Sequence, residues 1–361
     1  MVSEDRSENE TTTPLESSDS SQEPVVGAGA GERRGPAGSP RVWRVFRWIA
    51  VVLLLGSLGG NWGQYRLWQA TRGGGPQEVF HSGEDGATAK LAVIPVEGVI
   101  MSPLTDQVLS MIDLVQKDES VRGMVLAIDS PGGLVADSHQ IYHRLEKYRM
   151  ETGKPVMVSM SRIATSGGLY VAMGSGPTGR VFAEPTTWTG SIGVIIPRYD
   201  VSSLSDRFGV RVDPLKTGPL KDSLNPFRPL SDQDRTVWKA ILDDAFDRFI
   251  GVIAENRSGL DENRVRELAT GQIYTANQAL EHGLVDEIGY QEDVIESLKS
   301  VLKLSRVRVV TYRTRPGWID LLLDQVESRD PERQLAKWLE TGVPRGMYLS
   351  SWGTLPRTSL E

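Results

Sequence analysis

From residue 91 onward, continuous apolar runs alternate with apolar positions at helical spacing. Residues 91–96 are a short aliphatic run that reads as a buried strand. Val108, Leu109, Met111, Ile112, Leu114 and Val115 recur on one face of a helix. Residues 121–128 form a second apolar strand, which ends in the loop Asp129-Ser130-Pro131-Gly132-Gly133. A helix to about Tyr148 follows, then a strand at 155–160 that leads into Ala164-Thr165-Ser166-Gly167-Gly168. Strands alternating with helices imply βαβ units and a mostly parallel sheet. In such sheets active groups collect at the carboxyl ends of the strands, where both glycine loops fall. Further on, the pattern predicts strands at 181–183 and around 189–194 and a short helix at 203–208. A long helix follows from about Ser231 to Asn256, with Ser231 and Asp234 as its capping pair. The turn-rich stretch 271–289, a helix at 291–302 and a strand at 307–312 complete the pattern.

The first forty residues are rich in Ser, Thr, Glu, Gly and Pro and bury too little to offset ordering entropy, so segment 1–41 is expected to be disordered. Residues 48–65 carry no charge, and their centre, 49–58, is almost wholly aliphatic. Arg41, Arg44 and Arg47 precede this stretch, and Trp43, Trp48, Trp62, Tyr65 and Trp68 flank it. The pattern predicts a single transmembrane anchor over 42–66, at the short end of what spans a bilayer. The excess of arginine before the span puts the N-terminus in the cytoplasm and the rest of the chain outside it. A cleaved signal peptide and a buried core helix are the competing readings. Segment 67–89 reads as a linker, 90–303 as the main domain, and 304–361 as a strand followed by a tail that could form a short helical hairpin or dock on a neighbouring subunit.

The chain has 361 residues, enough for a sizeable core, and a formal net charge of −7, which carries no nucleic-acid footprint. It contains no cysteine, which excludes disulfides, thiolate nucleophiles and cysteine–metal sites.

The candidate chemistry centres on Ser166. The two glycines after it allow a tight turn, and the Gly167 N–H is free to face a developing oxyanion. A serine hydroxyl needs a base. None of the four histidines, His81, His139, His143 and His282, lies between Ser166 and the loop 216–222, which carries Lys216 and Lys221. A serine–lysine dyad of Ser166 and Lys221 is the natural reading, with Lys216 as competing base. A free lysine has a pKa near 10.4, so the base would need burial to act neutral. One N–H from Gly133 and one from Gly167 could form an oxyanion hole, with Gly132, Gly168 and Ser191 lining the cleft. Taken singly, Pro-Gly-Gly is equally a tight turn, Ser166 a helix N-cap, and Ser130 a residue that satisfies its own loop. His139 and His143 stand at i, i+4, a spacing that could hold a metal, but no acidic or cysteine partner completes a motif, and no metal or other cofactor is expected.

The runs 129–133, 164–168, 189–194 and Lys221-Asp222, in that order, together with Tyr274-Thr275, Gln278-Ala279-Leu280 and 283–287, resemble the SppA-type signal peptide peptidases over roughly residues 90 to 300. The resemblance implies an α/β fold of the ClpP/crotonase-like type with repeated ββα units. It implies a membrane-anchored, extracytoplasmic serine endopeptidase with Ser166 as nucleophile, Lys221 as general base and Gly133 and Gly167 as oxyanion donors. Remnant signal peptides are the implied substrates. Ring- or dome-shaped homo-oligomers, octamers in the half-length form this chain is similar to, are implied as the assembly, with each active site shared between subunits. Leu169 and Leu220 depart from the family, which often has aromatics there. The rival readings are a crotonase-like acyl-CoA enzyme, a non-catalytic scaffold, and a peptidase that degrades misfolded membrane proteins.

Overall fold

A computed structural model describes residues 40–71, 75–314 and 347–349. The chain divides into two units, residues 1–63 and 64–361. Helix α1 (Pro40–Thr71) begins in the first. The second contains β1 (Gln77–Gly83), β2 (Lys90–Glu97), α2 (Leu104–Lys117), β3 (Val121–Ser130), β4 (Gly132–Leu134), α3 (Val135–Thr152), β5 (Val156–Thr165) and α4 (Gly167–Ala172). It continues through β6 (Val181–Ala183), β7 (Trp188–Gly190), α5 (Ser202–Arg207), α6 (Asp232–Asn256), α7 (Glu262–Leu268), β8 (Ile273–Thr275), α8 (Ala276–Glu281), β9 (Glu287–Ile288), α9 (Gln291–Val301), β10 (Arg308–Arg313) and β11 (Met347–Leu349).

The main sheet runs β1-β10-β2-β3-β5-β6-β9, with β7 joined to β5 and β8 to β7. All its pairings are parallel except β1 with β10 and β7 with β8. The mixed α/β architecture and nearly every predicted strand and helix are therefore observed. The central residues of β2, β3 and β5 are covered because helices pack on both faces, which is why they read as apolar runs. One face holds the large core, with α2, α3, α4 and the end of α6 against Ile94, Leu126, Ile128 and Val158. The other is closed by α9 through Val294, Ile295 and Leu298. Helix α6 starts at the predicted cap: the Asp234 N–H donates to Ser231 Oγ at 3.1 Å, and the Ser231 N–H donates back to Asp234 Oδ2 at 2.9 Å.

Three expectations need revision or restriction. Strand β1 lies inside the stretch read as linker. Its side chains are mostly exposed, so no apolar run announces it; it is held by antiparallel pairing to β10, Phe80 opposite Val310. The expected anchor falls in α1, which is 32 residues long and exposes Val52, Leu53, Leu54, Leu55 and Leu58. Among the described residues, however, no helix is long and apolar enough to cross a membrane, because Gly59, Gly60, Asn61, Gly63 and Gln64 interrupt the aliphatic run. The segment expected to be disordered, apart from its last two residues, and the helical hairpin expected in the tail lie outside the described residues; within that tail, residues 347–349 form a strand.

Candidate active site

Ser166 occupies the turn between β5 and α4. Its backbone is at φ 53° and ψ −114°, a conformation that side-chain-bearing residues rarely adopt. Strain of this kind persists only where the surroundings over-determine the chain. Here the Ser166 N–H donates to Gly190 O at 2.7 Å, and Ser166 O accepts the Tyr170 N–H at 2.9 Å. Thr165 Oγ1 donates to Pro131 O at 3.2 Å, and Thr189 Oγ1 to Ala164 O at 2.7 Å. Thr165 ties the end of β5 to the loop at Pro131 and Thr189 ties it to β7, which the sequence reading missed; a threonine next to each glycine turn was the available signal. Ser166 is 1% exposed, and its Oγ has no hydrogen-bond partner among the described residues.

The two glycine loops meet beside this turn. Gly132 has φ 100°, and its N–H donates to Ser130 Oγ at 3.1 Å, so Ser130 satisfies its own loop. The Ile100 N–H donates to Gly132 O, and the Leu134 N–H to Ile100 O, both at 2.8 Å. The N–H and C=O of the intervening Gly133 therefore face the opposite edge of β4, as alternate residues of a strand do. A Cβ on Gly133 would stand 2.0 Å from Ile100 O, and one on Gly167 2.6 Å from Ser138 Oγ and 3.0 Å from the Gly133 nitrogen. At Gly133 the obstacle is backbone and only glycine fits, whereas at Gly167 the nearest atom is a side-chain oxygen and the Gly133 backbone comes next. Gly168 lies against Ser130 O in the same way, at 3.0 Å from a built Cβ. Ser191 has φ 51° and is nearly buried, and its N–H donates to Gln272 O at 2.6 Å. Gly132, Gly133, Ser166, Gly167, Gly168 and Ser191 thus come together. A further residue joins them unforeseen: Ser138 in the first turn of α3, wholly buried, whose Oγ lies against Gly167 with no hydrogen-bond partner among the described residues.

Lys221 does not join them within one chain. It lies exposed in a turn of the arm between β7 and α6, and Ser166 Oγ makes no bond to it. Its rival Lys216 donates to Asp222 Oδ1 at 2.8 Å. Asp222 is also met by Arg228 Nη2 at 3.2 Å, so its carboxylate is directed to these two cations. Their hydrogen bonds, Lys216 first, hold the Asp222 carboxyl down at about 2. Arg228 in turn donates to the buried Asp234 at 2.7 Å, which holds that carboxyl well below the usual range. The arm exposes Tyr199, Leu204, Phe208, Val210 and Leu215, the last completely.

The histidines lie elsewhere. His139 Nδ1 is 2.8 Å from the Tyr170 hydroxyl, and His143 Nδ1 is 3.5 Å from Glu146. Among the described residues there is no group of three side chains that could hold a metal.

The sequence pattern of Peptidase family S49 matches residues 148–305, a span that includes Ser166 and Lys221. A Synechocystis protein named "Putative protease slr0021" is 37% identical over 204 residues, which cover 56% of this chain and 71% of that protein. The chain belongs to peptidase family S49. Family members similar to it include the "Putative signal peptide peptidase SppA" of Enterococcus faecium, 39% identical over 205 residues, 57% of this chain and 58% of that protein. The Arabidopsis thaliana "Serine protease SPPA, chloroplastic" is 30% identical over 229 residues, 62% of this chain and 33% of that protein. The chain thus spans little more than half of the Enterococcus relative's length.

Proposed function

We propose that this S49 chain is a membrane-associated serine endopeptidase with a ClpP/crotonase-like arrangement, and that it cuts apolar peptide segments such as remnant signal peptides. The observation that carries the proposal is the strained, buried Ser166 at the end of β5, with the N–H edge of Gly133 in contact range of Gly167. Strain of this kind costs stability and clusters at active sites, which supports a positioned reactive group here.

In the mechanism, Lys221 as the free amine takes the Ser166 proton while Oγ attacks the scissile carbonyl. The oxyanion lies between the N–H groups of Gly133 and Gly167, and loss of such a donor costs on the order of 10²–10³ in turnover. The tetrahedral species collapses by breaking the C–N bond, and Lys221 returns the proton to the leaving amine. Water then hydrolyses the acyl-serine by the same route, and no cofactor takes part.

Because Ser166 Oγ is unpartnered while Lys221 is exposed on an apolar arm, we assign Lys221 of one subunit to Ser166 of its neighbour in a homo-oligomer, an octameric ring. Docking of the arm on that neighbour brings its apolar side chains and Lys221 to the serine turn together. The aliphatic run of α1 is read as the membrane anchor, with the N-terminus cytoplasmic and the catalytic domain outside.

The test is hydrolysis of a synthetic apolar signal peptide by the full chain in detergent. Ser166→Ala and Lys221→Ala are each expected to be inactive, and the two inactive variants co-refolded are expected to recover activity. Recovery requires the two residues to act across a subunit boundary. Activity retained in Lys221→Ala would overturn the dyad and turn attention to Lys216.

A further inference from the structure

Ser138 stands in the first turn of α3 and faces Gly167, the residue that follows the candidate nucleophile. One point beside the Gly167 Cα, where a Cβ would be, lies 2.6 Å from Ser138 Oγ, 3.0 Å from the Gly133 nitrogen and 3.2 Å from the Gly132 Cα. The Ser138 hydroxyl and the Gly133 nitrogen therefore border the same face of Gly167.

A hydroxyl is an unfavourable choice at this place. Ser138 is wholly buried, and its Oγ has no hydrogen-bond partner among the described residues. A serine within a helix can turn back to a carbonyl one turn earlier, and Ser138 makes no such bond. An unpaired buried hydroxyl costs stability, and alanine is the better helix former with nothing to satisfy. Folding alone thus favours alanine at 138. The other buried hydroxyls without a partner among the described residues are Thr105 in α2, Tyr148 towards the end of α3, Ser159 in the middle of β5, and Ser166 itself. Ser138 and Ser166 are set apart because both adjoin Gly167, one across from it and one before it in the chain.

We propose that Ser138 is a third oxyanion donor: its O–H donates to the oxygen that becomes negative when Ser166 adds to the scissile carbonyl. The proposal rests on the peptidase reading of Ser166. An interaction made only with the transition state accelerates the chemical step, whereas one made equally with the bound substrate does not. A donor preorganised for the oxyanion acts where charge develops, beyond the place of the ground-state carbonyl oxygen. The hydroxyl suits that task because its proton swings about the Cβ–Oγ bond while α3 holds the side chain in place. Ser138 keeps its proton throughout. It gives a hydrogen bond to the developing charge, and Lys221 remains the base.

The test compares the full wild-type chain with Ser138→Ala and Ser138→Cys, in detergent, on the apolar peptide and on a peptide aldehyde of the same sequence. The aldehyde adds to Ser166 Oγ and places its own oxygen where the oxyanion forms. In Ser138→Ala, kcat is expected to fall on the order of 10²-fold with KM changed less than about twofold. Aldehyde inhibition should weaken by a similar factor, and the urea midpoint should equal or exceed that of wild type, because an unpaired hydroxyl has been removed. Ser138→Cys fills the space with a weak donor and should lose kcat as alanine does. A cysteine variant as active as wild type would show that the side chain acts through its volume and would overturn the proposal. So would Ser138→Ala with unchanged kcat, or with a raised KM in place of a lowered kcat; either result beside an inactive Ser166→Ala leaves the peptidase reading standing. A wild-type chain that neither cleaves the peptide nor binds the aldehyde would reject that reading and the proposal with it.

Discussion

The serine turn and the lysine arm are built in opposite ways. Ser166 and the glycines beside it are buried, the Ser166 N–H and C=O both have partners, and three glycines stand where a Cβ would crowd its neighbours. Around Lys221 the apolar side chains face outward, and the order comes from charge: Lys216, Asp222, Arg228 and Asp234 form a chain of ion pairs, aided by Trp238 Nε1 donating to Ser223 Oγ at 2.9 Å. The first half of α6 shares this character, with Val237 and Ile241 exposed, while its second half, through Phe249, Ile250 and Ile253, is core. The serine turn is fixed by the chain's own packing, and the lysine arm presents apolar side chains to solvent.

The comparison predicts unequal responses to substitution. The largest effect is expected at Gly133→Ala, because a Cβ 2.0 Å from Ile100 O must displace backbone; a loss of at least about 2 kcal/mol should appear in urea unfolding, together with loss of hydrolysis. A Gly133→Ala chain as stable as wild type would mean that the loop is looser than its geometry. Gly167→Ala should follow closely in activity but less in stability, since Ser138 Oγ, one of the atoms it meets, can rotate aside.

Ser166→Gly sharpens the contrast in the other direction. It removes the strained φ and should stabilise the fold by about 1 kcal/mol while abolishing turnover. A destabilised Ser166→Gly would show that the side chain is held by contacts the turn needs.

The arm should answer to acid instead. The folded Asp222 carboxyl lies below its ordinary value, so its contribution is present above about pH 4 and is lost as pH falls towards 2. Proteolysis or exchange in residues 216–228 should therefore rise over that interval while β3 and β5 remain protected. The smallest effect is expected from Asp222→Asn at neutral pH: faster exchange in the arm, with the global unfolding midpoint close to wild type.

Much of the serine half was legible because burial writes a pattern. Continuous apolar runs marked β2, β3 and β5, and glycines at their ends marked the loops that now meet. Ser231 and Asp234 announced the start of α6 to within a residue. What was not legible is held by pairing rather than by burial. Strand β1 is exposed along most of its length and looks like linker. Strand β11 gives no alternation at all, and only its register with β4 reveals it. The lysine arm reads as a short helix and a turn-rich loop, and its apolar side chains are exposed.

Tyr170 lies one turn beyond Ser166 and meets Phe249 of α6 edge-on, with ring centroids 5.1 Å apart, and Tyr142 of α3 at 5.6 Å, while its hydroxyl reaches His139. Closely packed, asymmetric rings of this kind are optically active in the near ultraviolet when their geometry is fixed and silent when it is averaged. The protein thus carries an unlabelled chromophore cluster whose circular dichroism reports whether the helix behind the serine is seated.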